Sequence, residues 1–273
     1  MSIATRILRM IALGYGIILL LAIALEDWLV YMPQRYPAGN WDTSDLAVED
    51  VFLNSADGTR IHGWYVPCED AIASVLFLHG NGGNITDWLP QLYYLHHKTQ
   101  VNVLAIDYRG FGKSNGFPSE AGVLQDARAG RRWLAERQQI DEADIVLMGR
   151  SLGGGIAIQL AVELNPRALI LERTFTSLPD AAFAQYPILP TKLLMRNRFN
   201  SLSAIRRYPG PLLQSHGTDD RIVPYDQGVA VFDAAPGTAK EFISVNGGTH
   251  HSPQPNGYFQ HLRDFLQPLA PLL

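Results

Sequence analysis

The sequence predicts an α/β fold in which a mostly parallel central sheet carries helices on both faces and begins with an antiparallel hairpin. Three observations support this prediction. Short apolar runs with the length of buried strands alternate along the chain with stretches of helical periodicity. The first two strand-like stretches flank the pair Asp57-Gly58, which is typical of a hairpin turn. The glycine-rich turns follow such runs, and the carboxyl ends of parallel strands meet at one edge of a sheet.

The expected elements follow one another in a simple order. The hairpin covers 51–66. Buried strands are expected at six further apolar runs, namely 73–78, 101–106, 145–148, 168–171, 211–213 and 241–245. Helices are expected where apolar residues recur with helical spacing, at 87–96, 119–137, 156–161 and 259–266. Ser119 has the side chain expected of an N-cap at the start of the second of these helices.

Length and composition limit what kind of protein this can be. The chain has 273 residues, of which 47% are hydrophobic and 18% charged, so it can fold around one large α/β domain or two small ones. A net charge of -4 provides no basic surface overall, and a nucleic-acid partner is not expected. The one cysteine, Cys68, excludes an intrachain disulfide and a metal site built from several cysteines.

The N-terminus carries an apolar stretch of sixteen residues without a charge, 10–25, which is preceded by Arg6 and Arg9. Three interpretations are open. The stretch can be a membrane anchor, a cleaved signal peptide that uses the small residues at 22–24, or a buried helix. The apolar run resumes at 28–32, which favours one uncleaved helix.

The favoured interpretation makes the chain a single-pass membrane protein, with an anchor helix at 1–35 and a linker at 36–50. The membrane is then a partner through this helix. Two arginines precede the apolar span and only Arg35 follows it closely. Because positive charge accumulates on the cytoplasmic side, the domain that follows, 51–273, is expected on the extracytoplasmic side.

The stretch 149–153 has the pattern G-x-S-x-G at a point where an apolar run ends and a helical pattern begins. A serine at such a strand-to-helix turn lies in a strained backbone conformation with its hydroxyl lifted off the sheet. Side chains at Gly149 and Gly153 would crowd the strand against the helix. The pattern also arises by chance, so Ser151 becomes a candidate nucleophile only together with an acid and a base elsewhere.

The acid and the base are expected after later strands. A serine hydroxyl is a weak nucleophile until an imidazole takes its proton, and the imidazole needs a carboxylate to hold its tautomer. Asp219 and Asp220 follow one strand, and His250 and His251 follow the next, in the order that suits a G-x-S-x-G turn. We expect Asp220 to be the acid because it precedes the pattern x-x-V-P. We expect His250 to be the base because it closes the pattern G-x-x-H.

The remaining candidates of the same residue types receive no chemical role. Asp219 is expected to be a solvated turn residue, and His251 to contribute nothing to the chemistry. His216 precedes a turn glycine and is expected to be structural. Four histidines lie in the hairpin or on helices and are expected to be solvated, namely His62, His96, His97 and His261.

A tetrahedral intermediate also needs hydrogen-bond donors for its oxyanion, each worth about 3 kcal/mol of barrier. One is the backbone N–H of Leu152, directly after the nucleophile. The other is expected from the loop after strand 73–78, where we choose Asn81 because the glycines at 82–83 let the backbone approach a substrate. A flexible loop without a role is one alternative. A phosphate-binding loop is a weaker one, because no Lys-Ser/Thr pair follows these glycines.

With these motifs the chain resembles the α/β-hydrolase family, and within it the small membrane-anchored serine hydrolases. The matching stretches extend from about residue 51 to the C-terminus and are 79–81, 107–112, 149–154, Asp220 with 223–224, and His250. The resemblance implies an α/β-hydrolase fold in which 107–110 braces the loops of the active site. Relatives in this family include lysophospholipid lipases, monoacylglycerol lipases and protein depalmitoylases. The chain departs from the family at Arg173, where relatives often have a small residue or proline.

A long insert, 174–208, separates two of the expected strands. In the family that the chain resembles, the equivalent segment roofs the substrate pocket. Here the insert is rich in apolar residues and is interrupted by Pro187 and Pro190. A lid for an acyl chain and ordinary packing onto the domain are both open. An apolar lid on a domain tethered to a membrane favours a lipid or another acyl substrate.

The sequence thus predicts a serine hydrolase that cleaves an ester or thioester through an acyl-enzyme. Ser151, Asp220 and His250 form the expected catalytic triad, and neither a metal nor a cofactor is expected. A serine peptidase and a catalytically inactive, membrane-tethered binding protein of the same fold remain as alternatives. Hydrolases of carbon–halogen bonds or epoxides on this fold are disfavoured, because they need an aspartate at position 151.

Overall fold

The computed structural model of the chain describes residues 2–269. Its centre is one eight-stranded sheet with the strand order β1-β2-β4-β3-β5-β6-β7-β8. The strands are β1 (Glu49–Asn54), β2 (Arg60–Val66), β3 (Ser74–Leu78), β4 (Asn102–Ile106), β5 (Val146–Arg150), β6 (Ala168–Glu172), β7 (Leu212–Gly217) and β8 (Lys240–Val245). Every expected strand is present.

The sheet is antiparallel at one edge and parallel elsewhere. β2 pairs antiparallel with β1 and β4, whereas each later pair of neighbours is parallel. The predicted fold class is therefore confirmed. β3 lies between β4 and β5, so the strand order reverses there, and Leu78 at the end of β3 pairs with Gly149 of β5. Ligands bind beyond the carboxyl ends of strands at such a reversal, and these are the strands that Asn81 and Ser151 follow.

Ten α-helices lie among residues 2–269. They are α1 (Ile3–Ala24), α2 (Glu26–Tyr31), α3 (Leu89–Tyr94), α4 (Glu120–Gln138), α5 (Leu152–Leu164), α6 (Leu178–Gln185), α7 (Thr191–Leu194), α8 (Ser201–Ile205), α9 (Tyr225–Ala234) and α10 (Tyr258–Leu266). Short turns of other helix types are Ile85–Trp88, Leu95–Thr99, Glu142–Asp144 and Gln267–Leu269. Ser119 caps α4 as expected, because its hydroxyl accepts the N–H of Gly122 at 3.2 Å.

The sheet separates two apolar cores. Along β3 the side chains alternate between its faces, so Leu76 and Leu78 pack with α4 and α5, whereas Val75 and Phe77 pack with α3 and α10. All four side chains are buried. Because a fully buried apolar side chain contributes about 1.5–3 kcal/mol, these two layers hold the carboxyl end of β3 rigidly in the middle of the domain.

The N-terminal apolar helix is α1. Among residues 2–269 it is the one helix that is long and apolar enough to cross a membrane, with 22 residues, a mean hydropathy of 2.3 over an 18-residue window and no buried residue. The helix that we expected to continue to residue 32 is instead divided at Leu25, and the short α2 follows. The division has a physical reason: the Glu26 carboxylate turns into the domain and accepts the N–H groups of Arg196 and Asn197 at 2.8 Å each.

The segment 36–50, expected to be a linker, packs against the domain. Leu46 is buried, and the ring of Trp41 lies 5.6 Å from that of Trp64. The side-chain amide of Asn84 donates a hydrogen bond to the carbonyl of Ala38 at 2.8 Å. The body of the domain therefore holds this segment at several points.

Candidate active site

Ser151 lies in a sharp turn between a strand and a helix. β5 ends one residue before it and α5 begins one residue after it, and its φ of 52° is in the left-handed region that serine rarely adopts. Two close approaches make this turn possible. A Cβ atom on Gly153 would lie 1.9 Å from the carbonyl oxygen of Leu78, and one on Gly149 would lie 2.2 Å from that of Gly153. The strained turn and both glycine requirements agree with the sequence pattern.

The structure brings Ser151, His250 and Asp220 together in a chain of two hydrogen bonds. Nε2 of His250 lies 3.1 Å from Oγ of Ser151, and Nδ1 of His250 lies 2.7 Å from Oδ2 of Asp220. All three residues are buried. An Nδ1–H that donates to the carboxylate leaves Nε2 free to accept the proton of the serine hydroxyl, which is the arrangement that general-base activation needs.

The protonation states suit the same arrangement. Burial alone would raise the pKa of Asp220, but hydrogen bonds from His216 and His250 outweigh burial and hold this pKa well below its ordinary value. Burial lowers the pKa of His250, and the charges of Arg150 and His251 lower it further, although Asp220 opposes them. Near neutral pH the carboxylate is therefore charged and the imidazole is neutral, so the imidazole can take up a proton.

The structure also distinguishes the members of each pair. Asp219 is exposed, whereas Oδ1 of Asp220 accepts the N–H groups of residues 222 and 223 at 2.9 Å each. His251 is exposed and contacts the His250 ring at right angles, with 5.4 Å between the ring centroids. Of the two pairs, only the first histidine contacts Ser151, and only the second aspartate contacts that histidine.

The two expected oxyanion donors lie close to the serine. Leu152 is the first residue of α5, so its N–H is among those that a helix leaves without an intrahelical partner. Asn81 lies in the cleft beside Ser151, and a Cβ atom on its neighbour Gly80 would lie 3.6 Å from the Cβ of Ser151. Within residues 2–269, neither amide donates a hydrogen bond to a main-chain carbonyl.

Known proteins share the sequence and the fold of this chain. The model of the alpha/beta hydrolase family matches residues 75–204. The alpha/beta hydrolase domain-containing protein WAV2 of Arabidopsis thaliana is 33% identical over 291 residues, which cover 94% of each chain. The chain belongs to the α/β-hydrolase family.

The predicted resemblance to this family is confirmed, and two further proteins resemble the chain, one in sequence and one in fold. Protein bem46 of Schizosaccharomyces pombe is 32% identical to this chain over 256 residues, which cover 88% of this chain and 85% of bem46. The esterase Pf2001 of Pyrococcus furiosus has the same fold, with a TM-score of 0.72 and 22% identity, over 86% of this chain and 97% of its own.

Two arginines that received no role from the sequence hold the loop of the candidate base. Nη2 of Arg150 donates to the carbonyl of His250 at 2.8 Å, and Nη1 of Arg173 donates to the same oxygen at 3.4 Å. Nη2 of Arg173 also donates to the carbonyl of Pro253 at 3.3 Å. Arg173 is fully buried with a φ of 50°. Its departure from the usual family residue was the one available signal, and the structure explains it as a brace for the histidine loop.

The turn after β4 braces the loop that carries Asn81, as the family resemblance implies. Oδ1 of Asp107 accepts the N–H of Ile85 at 2.8 Å. The hydroxyl of Tyr108 donates to the carbonyl of His79 at 2.9 Å. All these groups are buried, so the loop after β3 is fixed at its first residue and again after its glycines.

One expectation about the histidines is wrong. His62 is fully buried instead of solvated, because its two ring nitrogens lie 2.6 Å from a carboxylate oxygen of Asp50 and 3.3 Å from one of Asp107. His216 is buried as a structural residue, and its Nε2–H donates to the carbonyl of Val223 at 2.9 Å.

A cleft of about 1040 Å³ opens beside Ser151. Its walls come from residues 80–98 on one side and 250–260 on the other. Among the described residues, none from the insert 174–208 lines this cleft. Of the two interpretations left open for the insert, packing onto the rest of the chain agrees with this arrangement.

The insert packs against the N-terminal helix instead. The hydroxyl of Tyr15 in α1 donates to the carbonyl of Ile188 at 2.7 Å. A small cavity lies between the same two elements and is lined by Leu19, Ala22, Ile23, Glu26, Leu189, Thr191, Leu194 and Met195. Part of the insert is thus engaged by α1 and α2, through these cavity residues and through the main chain of Ile188, Arg196 and Asn197.

Within residues 2–269, no group of three or more His, Cys, Asp or Glu side chains is arranged to hold a metal ion. The described acidic and imidazole side chains near Ser151 contact one another and the main chain, as the distances above show.

Proposed function

We propose that the protein is a serine hydrolase that cleaves a carboxylic ester or a thioester through an acyl-enzyme. The observation that carries the proposal is the continuous chain of hydrogen bonds from Ser151 through His250 to Asp220. A binding protein with a vestigial site has no need for this chain, for a neutral buried imidazole or for a serine held at a φ of 52°.

The proposed reaction has two halves. Oγ of Ser151 attacks the carbonyl carbon while Nε2 of His250 takes its proton, and the oxyanion that forms accepts the N–H groups of Leu152 and Asn81. The intermediate collapses, the bond to the alcohol or thiol breaks, and His250 returns the proton to that leaving group. Water then attacks the acyl-serine with His250 again as the base, so that the acid is released and Ser151 is restored.

The proposed place of action is a membrane surface. We propose that α1 crosses the bilayer once and that the arginines before it keep the domain on the extracytoplasmic side. Tyr15 contacts the insert nine residues before α1 ends, which corresponds to about 14 Å along the helix. With α1 across the bilayer, the insert therefore reaches into the extracytoplasmic leaflet, beside the second half of α1.

The exposed side chains of the insert agree with such a position. Tyr186, Ile188 and Leu193 are large and apolar and are at least 60% exposed. Soluble proteins seldom expose so many neighbouring apolar side chains without a partner, and a lipid leaflet beside α1 is the partner that fits. The proposed substrate is accordingly an ester or thioester with an apolar acyl chain.

Hydrolysis of p-nitrophenyl esters of rising chain length tests the proposed reaction. We expect the full-length protein in detergent to hydrolyse these esters, with medium or long chains preferred to acetate. Ser151→Ala should lower kcat by about 10⁴-fold or more and leave the melting temperature unchanged. Equal rates for both proteins would refute the mechanism. Activity on acetate alone would refute the lipid-like substrate, and faster cleavage of peptide p-nitroanilides would favour a peptidase.

Fractionation tests the proposed anchor. We expect the full-length chain in membranes after an alkaline carbonate wash. A soluble product shortened by about 24 residues would show a cleaved signal peptide and contradict the anchor.

A further inference from the structure

The last residue of α2 and the residues that follow it lie along the loop that carries Asn81. We call residues 31–36 the strap. The N–H of Gly82 donates to the carbonyl of Tyr31 at 2.8 Å, and the N–H of Gln34 donates to the carbonyl of Gly83 at 2.9 Å. These two main-chain hydrogen bonds join the strap to the two residues that directly follow Asn81.

The other side of the strap is held as well. The N–H of Gly112 donates to the carbonyl of Gln34, and the N–H of Tyr36 donates to the carbonyl of Gly112, both at 2.9 Å. The strap therefore forms parallel bridges to the loop after β3 and to the loop after β4. It fills the position of a short strand between these two loops at the carboxyl edge of the sheet.

The loop after β3 has little means of fixing its own shape at this point. Gly82 and Gly83 have φ values of 75° and 61°, in the left-handed region, and neither has a side chain that could pack. A Cβ atom on Gly82 would meet nothing within 4 Å. Between the two points that the turn after β4 braces, the main restraint on Gly82 is thus its hydrogen bond to the strap, and the strap binds Gly83 as well.

The start of the strap is fixed in a buried polar network. Tyr31 is fully buried, and its hydroxyl donates to Oδ1 of Asn197 at 2.8 Å. The main-chain and side-chain N–H groups of Asn197 donate to Oε1 of Glu26 at 2.8 and 2.9 Å. Burial alone would raise the pKa of Glu26, but these donors and those of Arg196 outweigh it and lower the pKa. The network is therefore charged and fully engaged near neutral pH.

The geometry matters because an oxyanion donor must lie close to 3 Å from the oxygen that it stabilises. The peptide group between Asn81 and Gly82 is the one whose N–H binds the strap. A displacement of about 1 Å in a catalytic group can cost about 100-fold in rate. Any loosening of the strap is thus passed directly to the proposed donor at Asn81.

We propose that Tyr31 and Glu26 are positioning residues, which hold the strap and through it the oxyanion donor at Asn81. The inference rests on the proposed serine hydrolase. It makes the segment between the membrane helix and the domain part of the active-site support. It also separates two roles of the N-terminus: α1 ends before Glu26, so the anchor itself is not part of this support.

Tyr31→Ala in the full-length protein tests the inference, with Trp28→Ala as the matched control. Trp28 lies on the same short helix but is 65% exposed. We expect Tyr31→Ala to lower kcat about 10–100-fold while KM changes less than about twofold. An aliphatic trifluoromethyl ketone forms an adduct with Ser151 whose oxyanion lies against the proposed donors, Leu152 and Asn81. Its Ki should rise by the same factor as kcat falls. Trp28→Ala should change none of these values.

A second variant guards against a folding failure. Glu26→Gln keeps the shape of the side chain but removes its charge, and we expect the same pattern with a smaller factor. Tyr31→Phe keeps the buried ring but loses the hydrogen bond to Asn197, so it should lower kcat less than Tyr31→Ala does. A variant that melts at a lower temperature but keeps the wild-type kcat and ketone Ki, measured well below its melting temperature, would overturn the inference.

Hydrogen–deuterium exchange separates this inference from the proposed function. The peptide that contains Gly82 should exchange slowly in the wild type and in Trp28→Ala, and faster in Tyr31→Ala and Glu26→Gln. This readout does not depend on turnover. Unchanged exchange would contradict the role of the strap even in an active enzyme. Faster exchange in a chain without esterase activity would keep the strap and refute the proposed function.

Discussion

The loop that carries Ser151 and the loop that carries Asn81 lie side by side but are held in place by different means. The serine turn is held by close packing at its two glycines, because Gly149 lets β5 approach the start of α5 and Gly153 lets α5 approach the end of β3. The loop after β3 is held by distant parts of the chain, namely by Asp107 and Tyr108 after β4 and by the carbonyl of Tyr31, some 50 residues earlier. The glycines that support the serine turn form a motif that can be recognised in the sequence. The contacts that support the loop after β3 form no such motif.

The largest expected effect comes from disabling the acid that serves the serine turn. Asp220→Asn should lower kcat/KM by about 10⁴-fold, because an amide that replaces the carboxylate no longer stabilises the charged imidazole or its tautomer. Ester hydrolysis measures this effect. Asp219→Asn is the matched control and should stay close to the wild-type rate, because Asp219 is exposed and does not reach His250. Similar losses in both variants would contradict the assignment of the acid.

The next effect compares one glycine from each loop. Gly153→Ala should destabilise the fold by about 3 kcal/mol or more, because its Cβ would lie 1.9 Å from a carbonyl oxygen of β3. Gly82→Ala should cost only about 1–2 kcal/mol, since its Cβ enters open space and meets only the penalty of a left-handed φ. Denaturant unfolding of the two variants measures the difference. Equal destabilisation would mean that the serine turn is no more tightly packed than its neighbour.

The difference between local and long-range support explains how much of the structure could be predicted from the sequence. The eight strands and the strained serine turn were accessible, because apolar periodicity and glycine spacing are local signals. The burial of His62 was not, because it depends on Asp50 and Asp107 from other parts of the chain.

Two further features could not be predicted for the same reason. Whether the insert forms a lid or packs onto the rest of the chain depends on where α1 and α2 pack, and that packing includes contacts such as the hydrogen bond between Tyr15 and Ile188. The strap was missed because the hydrogen bonds that the carbonyl of Tyr31 accepts and the N–H of Gln34 donates require no particular side chain. Only Arg173 gave a sequence signal of a long-range contact, because relatives in the family often have a small residue or proline at this position.

The smallest expected effect is a shift in the pH dependence of kcat/KM. The acid limb of kcat/KM should lie below the ordinary histidine value of 6.5, because burial and then the charge of Arg150 lower the pKa of His250. Since only the neutral imidazole is an active base, Arg150→Gln removes a charge that opposes protonation and should move the acid limb to higher pH. Lys98→Gln, which removes a charge from the same cleft, is the control and should leave the limb in place. A shift to lower pH in Arg150→Gln would contradict the account.

The most direct test of the central claim is the site of covalent labelling by an alkyl fluorophosphonate. The account predicts one adduct per chain, located by peptide mass spectrometry on Ser151. It also predicts no adduct in Ser151→Ala, and at least about 100-fold slower labelling in His250→Ala. Labelling of wild type and Ser151→Ala to the same extent, or an adduct on another residue, would contradict the assignment of Ser151 as the nucleophile.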